Sequence, residues 1–226
     1  MDFNEISTLM AMTLGISWAS GINLYAAVLA LGLAGATGHA VLPEELQILQ
    51  SPIVIAAAAL MYCVEFAADK IPGVDTGWDA IHTFIRIPAG ALLAAGMLSD
   101  VGMAAELAAA LVGGSIAAGT HATKAGSRAL INTSPEPFSN WAASVGEDIA
   151  VFAGVWAMIN HPWVFIGLLI LFILFMIWVL PKIWRGIRML LRKIRGKKDP
   201  PEEELVAADQ AEPSAVVATD PTSASG

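Results

Sequence analysis

The chain has 226 residues, 56% of them hydrophobic and 14% charged, with a mean hydropathy of +0.65. Soluble domains carry roughly 25% charged residues, so an ordinary soluble domain is excluded, and one cysteine excludes disulfides and thiolate zinc sites within the monomer. The formal charge of -8 belongs to the tail: seven acids and no base follow Lys198, which leaves 13 acids against 12 bases before it and excludes a general preference for cationic partners.

Apolar blocks recur up to Pro181. Hydrocarbon leaves no water to satisfy a bare backbone, so each block of about 20 apolar residues reads as a helical span. The predicted fold is all-α, a polytopic membrane bundle of about six transmembrane helices within residues 1–181. The start is not a signal peptide, because Asp2 and Glu5 replace the basic region. The first span is predicted over 7–34, and its Gly15, Ser17, Ser20, Gly21 and Asn23 make it a candidate for tilting or breaking. The second, 52–70, carries Cys63 in an apolar run, where a buried inert thiol is expected, and then Glu65, Asp69 and Lys70. A linker at 71–77 has turn chemistry, and Asp75 or Thr76 can cap the helix that follows.

The third span, 79–98, opens on Asp79, His82 and Arg86, spaced three and four apart and therefore on one helical face. The fourth, 104–131, repeats that spacing with His121, Lys124 and Arg128, and Asn132 extends the face. The fifth, 141–160, contributes Glu147 and Asp148; a tight turn at Asn160–Trp163 leads to the sixth, 162–181, the most uniformly apolar. Eight bases then fall between Lys182 and Lys198. They predict a basic interfacial helix over 182–198 whose partner is anionic lipid, with the C-terminus cytoplasmic and, for six spans, the N-terminus cytoplasmic too. A five-span arrangement puts the N-terminus outside. The acidic tail, 199–226, has little to bury and is expected to be disordered.

Ionisable groups at membrane depth are costly and face a bundle interior or an aqueous path. Asn23, Glu65, Asp69, Asp79, His82, Arg86, His121, Lys124 and Glu147 are therefore the candidate substrate or ion pathway. Six acids (the above with Asp75 and Asp148) against Lys70, Arg86, Lys124 and Arg128 suggest internal ion pairs with an acid or two to spare. Lys70, Asp75 and Arg128 have a plainer reading as snorkelling or capping groups. No metal, nucleotide or nucleophile motif is present, so no catalytic residue, cofactor or metal is expected.

An internal echo aligns Ser17–Ala27 with Ser115–Ala125, matching Gly21 to Gly119 and Asn23 to His121. A three-plus-three inverted repeat, common among secondary transporters, is the arrangement it would imply.

Three stretches, GINLYAAVLALGL (21–33), VEFAADKIPGVDTGWDAIHTFIRIPAGALLAAG (64–96) and GTHATKAGSRALINTSPEPFSNWAASVGEDIAV (119–151), carry a resemblance to a family of uncharacterised bacterial membrane proteins, the domain-of-unknown-function family numbered 4126. DKIPGVDTGWD at 69–79 is its most specific phrase, and the resemblance spans residues 1–180. It implies an inner-membrane, multi-pass protein and transfers no site residue.

The leading functional expectation is a small secondary transporter or channel-like permease for a small solute or ion. In it, Arg86 and Lys124 bind an anionic group or hold acids charged, and Glu65 or Glu147 exchanges a proton. The alternatives are a non-transporting scaffold or lipid-binding protein, and an intramembrane enzyme. Expected partners are membrane lipid, the solute or ion, and a second copy of the chain, but no nucleic acid.

Overall fold

The computed structural model describes residues 3–71, 73–133 and 138–194. Six α-helices follow in order: α1 (Phe3–Ala36), α2 (Pro52–Ala68), α3 (Val74–Met97), α4 (Met103–Ile131), α5 (Phe138–Asn160) and α6 (Pro162–Ile194), with short 3-10 helices at Glu44–Gln50 and Ser99–Val101. Pro52 and Pro162 open α2 and α6, the helix position where a missing N–H costs nothing. Gly73 (φ +88°) and Gly102 (φ +125°) turn the chain into α3 and α4 through backbone that a Cβ disfavours. The chain forms two compact units, Met1–Ile187 and Arg188–Gly226; the described part of the second is the closing turns of α6.

The bundle is an all-α assembly of long apolar helices, as a multi-pass membrane protein requires. By length and composition five helices suffice to cross a bilayer, and six if the 3-10 helix Glu44–Gln50 and α2, bent by 65°, act as one span.

The first helix departs most from expectation. Asn23 has extended backbone (φ -147°, ψ 99°), so α1 is two helices meeting at one residue. The first half runs alongside α4: Ile6 and Met10 share an apolar groove with Leu98, Val101 and Ala105, Ser17 approaches Gly113, and Gly21 meets Ala117 and Thr120. The second half runs back beside α2: Leu24, Tyr25 and Val28 line a groove with Ala57, Ala58 and Met61, and Gly32 lies against Leu49 and Ile55. Leu46 of the adjoining 3-10 helix packs on Gly96, at the end of α3. Both ends of α1 therefore lie near the α3–α4 turn. α1 is thus a hairpin with its tip at Asn23 inside the bundle.

The start of α1 lies at one end of the bundle and the Ile183 region of α6 at the other. Phe3 stacks on Trp163 in the first turn of α6, with centroids 4.9 Å apart. The far end of α6 lies beside the end of α4, with Ile183 on Gly126 and Leu130 on Gly186. The helix does not stop at Pro181; the expected interfacial segment continues α6 as far as Ile194. The tail and residues 195–198 lie outside the described residues.

Small residues let the helices approach closely. A Cβ on Gly113 would collide with the Ala94 Cβ and the Ser17 hydroxyl, one on Gly90 with Ala117, and one on Gly154 with the Trp18 ring. Such contacts suit a solvent that offers helices no hydrophobic drive to associate. Ser17 and Ser20 donate to the carbonyls of Gly90 (3.3 Å) and Arg86 (3.1 Å), on either side of Pro88 in α3. Trp18 meets Phe165 and Phe172 edge-on, at 5.8 and 6.0 Å. Cys63 is exposed on α2, not buried. Its apolar neighbours face outward, where a membrane protein meets lipid.

Candidate functional site

Helices α2–α5 bring their polar faces together on the side of the bundle away from the α3–α4 turn. At the start of α3, Asp75 accepts the amides of Gly73 (2.8 Å) and Thr76 (2.6 Å), and both its oxygens accept Asn132 Nδ2 at 2.8 Å. This ties the start of α3 to the end of α4. The Lys70 carbonyl accepts Trp141 Nε1 (3.0 Å), and that of Asp69 accepts Asn140 Nδ2 (3.2 Å), tying α2 to α5. Lys70 Nζ approaches the Phe66 carbonyl and the Ser144 hydroxyl. Loss of solvent lowers its pKa from the ordinary value, against the raising influence of Asp148 and Asp69.

Farther in lies one continuous ion-pair network. Arg86 donates to Glu65 at 2.6 Å and to Asp79 at 3.0 Å. Lys124 lies 3.0 Å from Asp69, 3.5 Å from Glu65, 3.5 Å from Glu147 and 3.8 Å from Asp79. Arg128 grips both oxygens of Glu147, at 2.7 and 3.2 Å, lies 3.9 Å from Asp69, and donates to the Asn140 side chain. Arg86 and Arg128 have no exposed side-chain surface, and Glu147 has 19%. From Asp75 to Arg86 along α3 is eleven residues, about 16 Å of rise and roughly half the hydrocarbon thickness. The other half is closed by apolar packing that includes Met12, Leu31, Leu42, Leu93 and Met97.

The tip of α1 seals the inner end of this column. Asn23 Oδ1 accepts the Ala26 amide (2.9 Å), capping the second half-helix, while its Nδ2 donates to Asp148 (3.2 Å). The Ile22 carbonyl, left bare where the first half ends, accepts Lys124 Nζ at 3.0 Å. One side chain from α4 thus binds the charged network and the broken helix together.

The two histidines have fixed roles. Arg86 donates to His121 Nδ1 (3.2 Å), so its proton is on Nε2, which faces the Asp79 carbonyl (3.2 Å) and Thr83 Oγ1 (2.7 Å). His82 Nδ1 donates to the Trp78 carbonyl (2.9 Å), leaving Nε2 to accept from Tyr25 (3.1 Å). His82 is buried against Trp78 and has no bond to the charged network. Tyr25 connects it to an apolar groove of about 370 Å³ between α1, α2 and α3.

Seven of the nine residues singled out from the sequence share the network: Glu65, Asp69, Asp79, Arg86, His121, Lys124 and Glu147. Asn23 joins it through the tip, and His82 stands aside. The plain reading of Arg128 as a snorkelling group gives way to one of the most buried positions in the bundle; its place four residues after Lys124 was the available signal. Asp148 stands among the six acids counted from the sequence, whereas Asn140 and Tyr25 find their partners on distant helices, which spacing does not show. Asp75 does bond helix-start amides, from the first turn of α3 and not from the cap position, which Gly73 holds. Among the described residues no three His, Cys, Asp or Glu are arranged to hold a metal ion.

The segments of the internal echo lie side by side, Gly21 on Ala117 and Thr120, and run in the same direction. α4 is continuous through His121, whereas α1 breaks at Asn23.

No curated protein and no solved structure matches the chain. The family described as "Domain of unknown function (DUF4126)" matches residues 10–182, which hold the hairpin and every member of the network, and the chain belongs to that family.

Proposed function

We propose that this protein is a small secondary transporter or channel-like permease for a small solute or ion in the bacterial cytoplasmic membrane. The observation that carries the reading is the hairpin tip at Asn23, set at the inner end of a charged column. Broken helices are tolerated at membrane depth where they are buried in protein or line a path, and half-helix ends are common elements of solute and ion sites. Here both half-helix ends are engaged, one by Lys124 and one by Asn23 itself. The charged network fills one half of the bundle and apolar packing the other, the asymmetry a closed state of an alternating-access protein would have. An inverted repeat fits this reading through α2–α3 and α5–α6, whose directions oppose, more than through the aligned segments of α1 and α4.

In this reading the basic end of α6 is cytoplasmic and meets anionic lipid, and the N-terminus is on the other side. A second reading, a non-transporting scaffold or lipid-binding protein, draws on the pairing of each cation in the network and on the apolar lining of the groove beside Tyr25.

Liposomes loaded with a pH-sensitive dye and holding the full-length protein separate the two. The probes are the proton alone, then sodium, chloride, phosphate and alanine added outside under an imposed potential. The expected result is flux above protein-free liposomes for at least one probe, falling to the protein-free level in Glu65→Gln. Traces equal to protein-free liposomes for every probe overturn the permease reading.

A further inference from the structure

The ion-pair network is short of one positive charge. Four carboxylates, Glu65, Asp69, Asp79 and Glu147, face three cations, Arg86, Lys124 and Arg128. The shortage is local. Glu147 has both oxygens on Arg128, and Asp69 has Lys124 at 3.0 Å. At the inner end a single guanidinium serves two carboxylates, giving Glu65 one nitrogen and Asp79 the other. Lys124 is farther from both, at 3.5 and 3.8 Å.

A second observation is independent of the charge count. Glu65 Oε2 and Asp79 Oδ2 are buried and accept no hydrogen bond among the described residues, and Arg86 Nε, equally buried, donates none. The side chains that carry them are 0%, 1% and 0% exposed. Asp69 Oδ1 and Asp148 Oδ2 also accept no hydrogen bond among the described residues, but Asp69 has Lys124 at 3.0 Å and Asp148 accepts from Asn23. Neither carboxylate accepts from a guanidinium shared with a second acid, as those of Glu65 and Asp79 do. An uncompensated anion in a low-dielectric interior is far costlier than a neutral acid, and a free oxygen on each carboxylate is where a proton attaches. The groups around the pair are His121, Lys124 and Arg128 from α4, Asp69 and Tyr62 from α2 and Tyr25 from α1, with Glu147 of α5 beyond Lys124. His121 adds no positive charge, because Arg86 already donates to its Nδ1.

We propose that Glu65 and Asp79, bridged by Arg86 beneath the α1 tip, together bind one exchangeable proton through the oxygens that have no partner. The proton belongs to the pair, as in any strongly coupled couple of acids. It is taken from bulk water, and binding it brings the network to neutrality. This deepens the permease reading by naming the hydron as an ion the site takes, and the site can exist in a protein that transports nothing.

Infrared difference spectroscopy of the full-length protein in lipid, taken from acid to alkaline buffer and repeated in heavy water, reads the proton directly. The wild type is expected to show a buried, deuterium-sensitive carboxylic acid band that bleaches on alkalinisation. Glu65→Gln and Asp79→Asn each leave one carboxylate to one guanidinium, so each loses the band; Asp100→Asn, at an exposed carboxylate, keeps it. A wild type with no such band overturns the proposal whether or not the variants fold. So does a band unchanged in both variants. A titrating band without flux sinks the permease reading and leaves this site standing, and flux without the band does the reverse.

Discussion

Arg128 has no exposed side-chain surface and holds Glu147 with two nitrogens. Removing one partner of such a pair strands the other in a medium that cannot solvate it, typically at about 3–5 kcal/mol. Arg128→Met should therefore lower the thermal unfolding midpoint in a fixed detergent by far more than a surface substitution does. Arg128→Met combined with Glu147→Met should recover part of the loss, because the orphaned carboxylate goes too. If the double variant is the less stable of the two, Arg128 works through Asn140 and the Asp69 carbonyl instead. Asn23 admits a sharper test. In an ordinary cap Asn, Asp and Ser are near equals, and losing the cap costs about 0.5–2 kcal/mol. Here Asp148 lies 3.2 Å from Asn23 Nδ2. Asn23→Ser should keep most of the stability, whereas Asn23→Asp sets two carboxylates face to face and should be the worse variant by thermal midpoint. Equal midpoints would remove Asp148 from the account.

At the scale of the helices, glycine separates contact from open space. A Cβ at Gly113 meets Ala94 and Ser17, and one at Gly146 meets nothing within 4 Å. Gly113→Val should cost at least the 1–3 kcal/mol or so typical of overpacking, because α1, α3 and α4 must all separate. Gly146→Ala should be neutral or gain up to about 1 kcal/mol from helix propensity. Unfolding midpoints that fail to separate the two would place the close packing elsewhere. The faces of these helices were legible in the sequence. Asp79, His82 and Arg86 repeat with the helical period, as do His121, Lys124 and Arg128, and both sets turn inward. What spacing cannot carry is which helix answers which: Glu65 finds Arg86 and Arg128 finds Glu147 only through tertiary packing. The break in α1 was half legible, since its Gly, Ser and Asn residues mark weakness without choosing a position. Cys63 misled because an apolar run signals burial only when the surrounding solvent is water.

For the whole molecule, the hairpin predicts sidedness. Val41, Asp100 and His161 are exposed and lie toward the end that holds the α3–α4 turn, while Thr133 lies toward the other, just past the end of α4. In a Cys63→Ser background, an impermeant maleimide applied to spheroplasts should label Val41→Cys, Asp100→Cys and His161→Cys, and should label Thr133→Cys only after lysis. Val41→Cys and Asp100→Cys reacting from opposite faces would mean that α1 crosses. Hydropathy measures how apolar a helix is and not whether it turns back, and length and composition allow five spans or six. The hairpin also bears on biogenesis. α1 leaves the ribosome before the helices that form its seat, α3, α4, α5 and α6. Before Lys124 emerges, nothing answers the Ile22 carbonyl, and before Asp148 emerges, nothing answers the Asn23 amide. α1 is thus made before the helices that seat it and placed only with them, and the insertion machinery must hold or shield it until they have assembled around the gap.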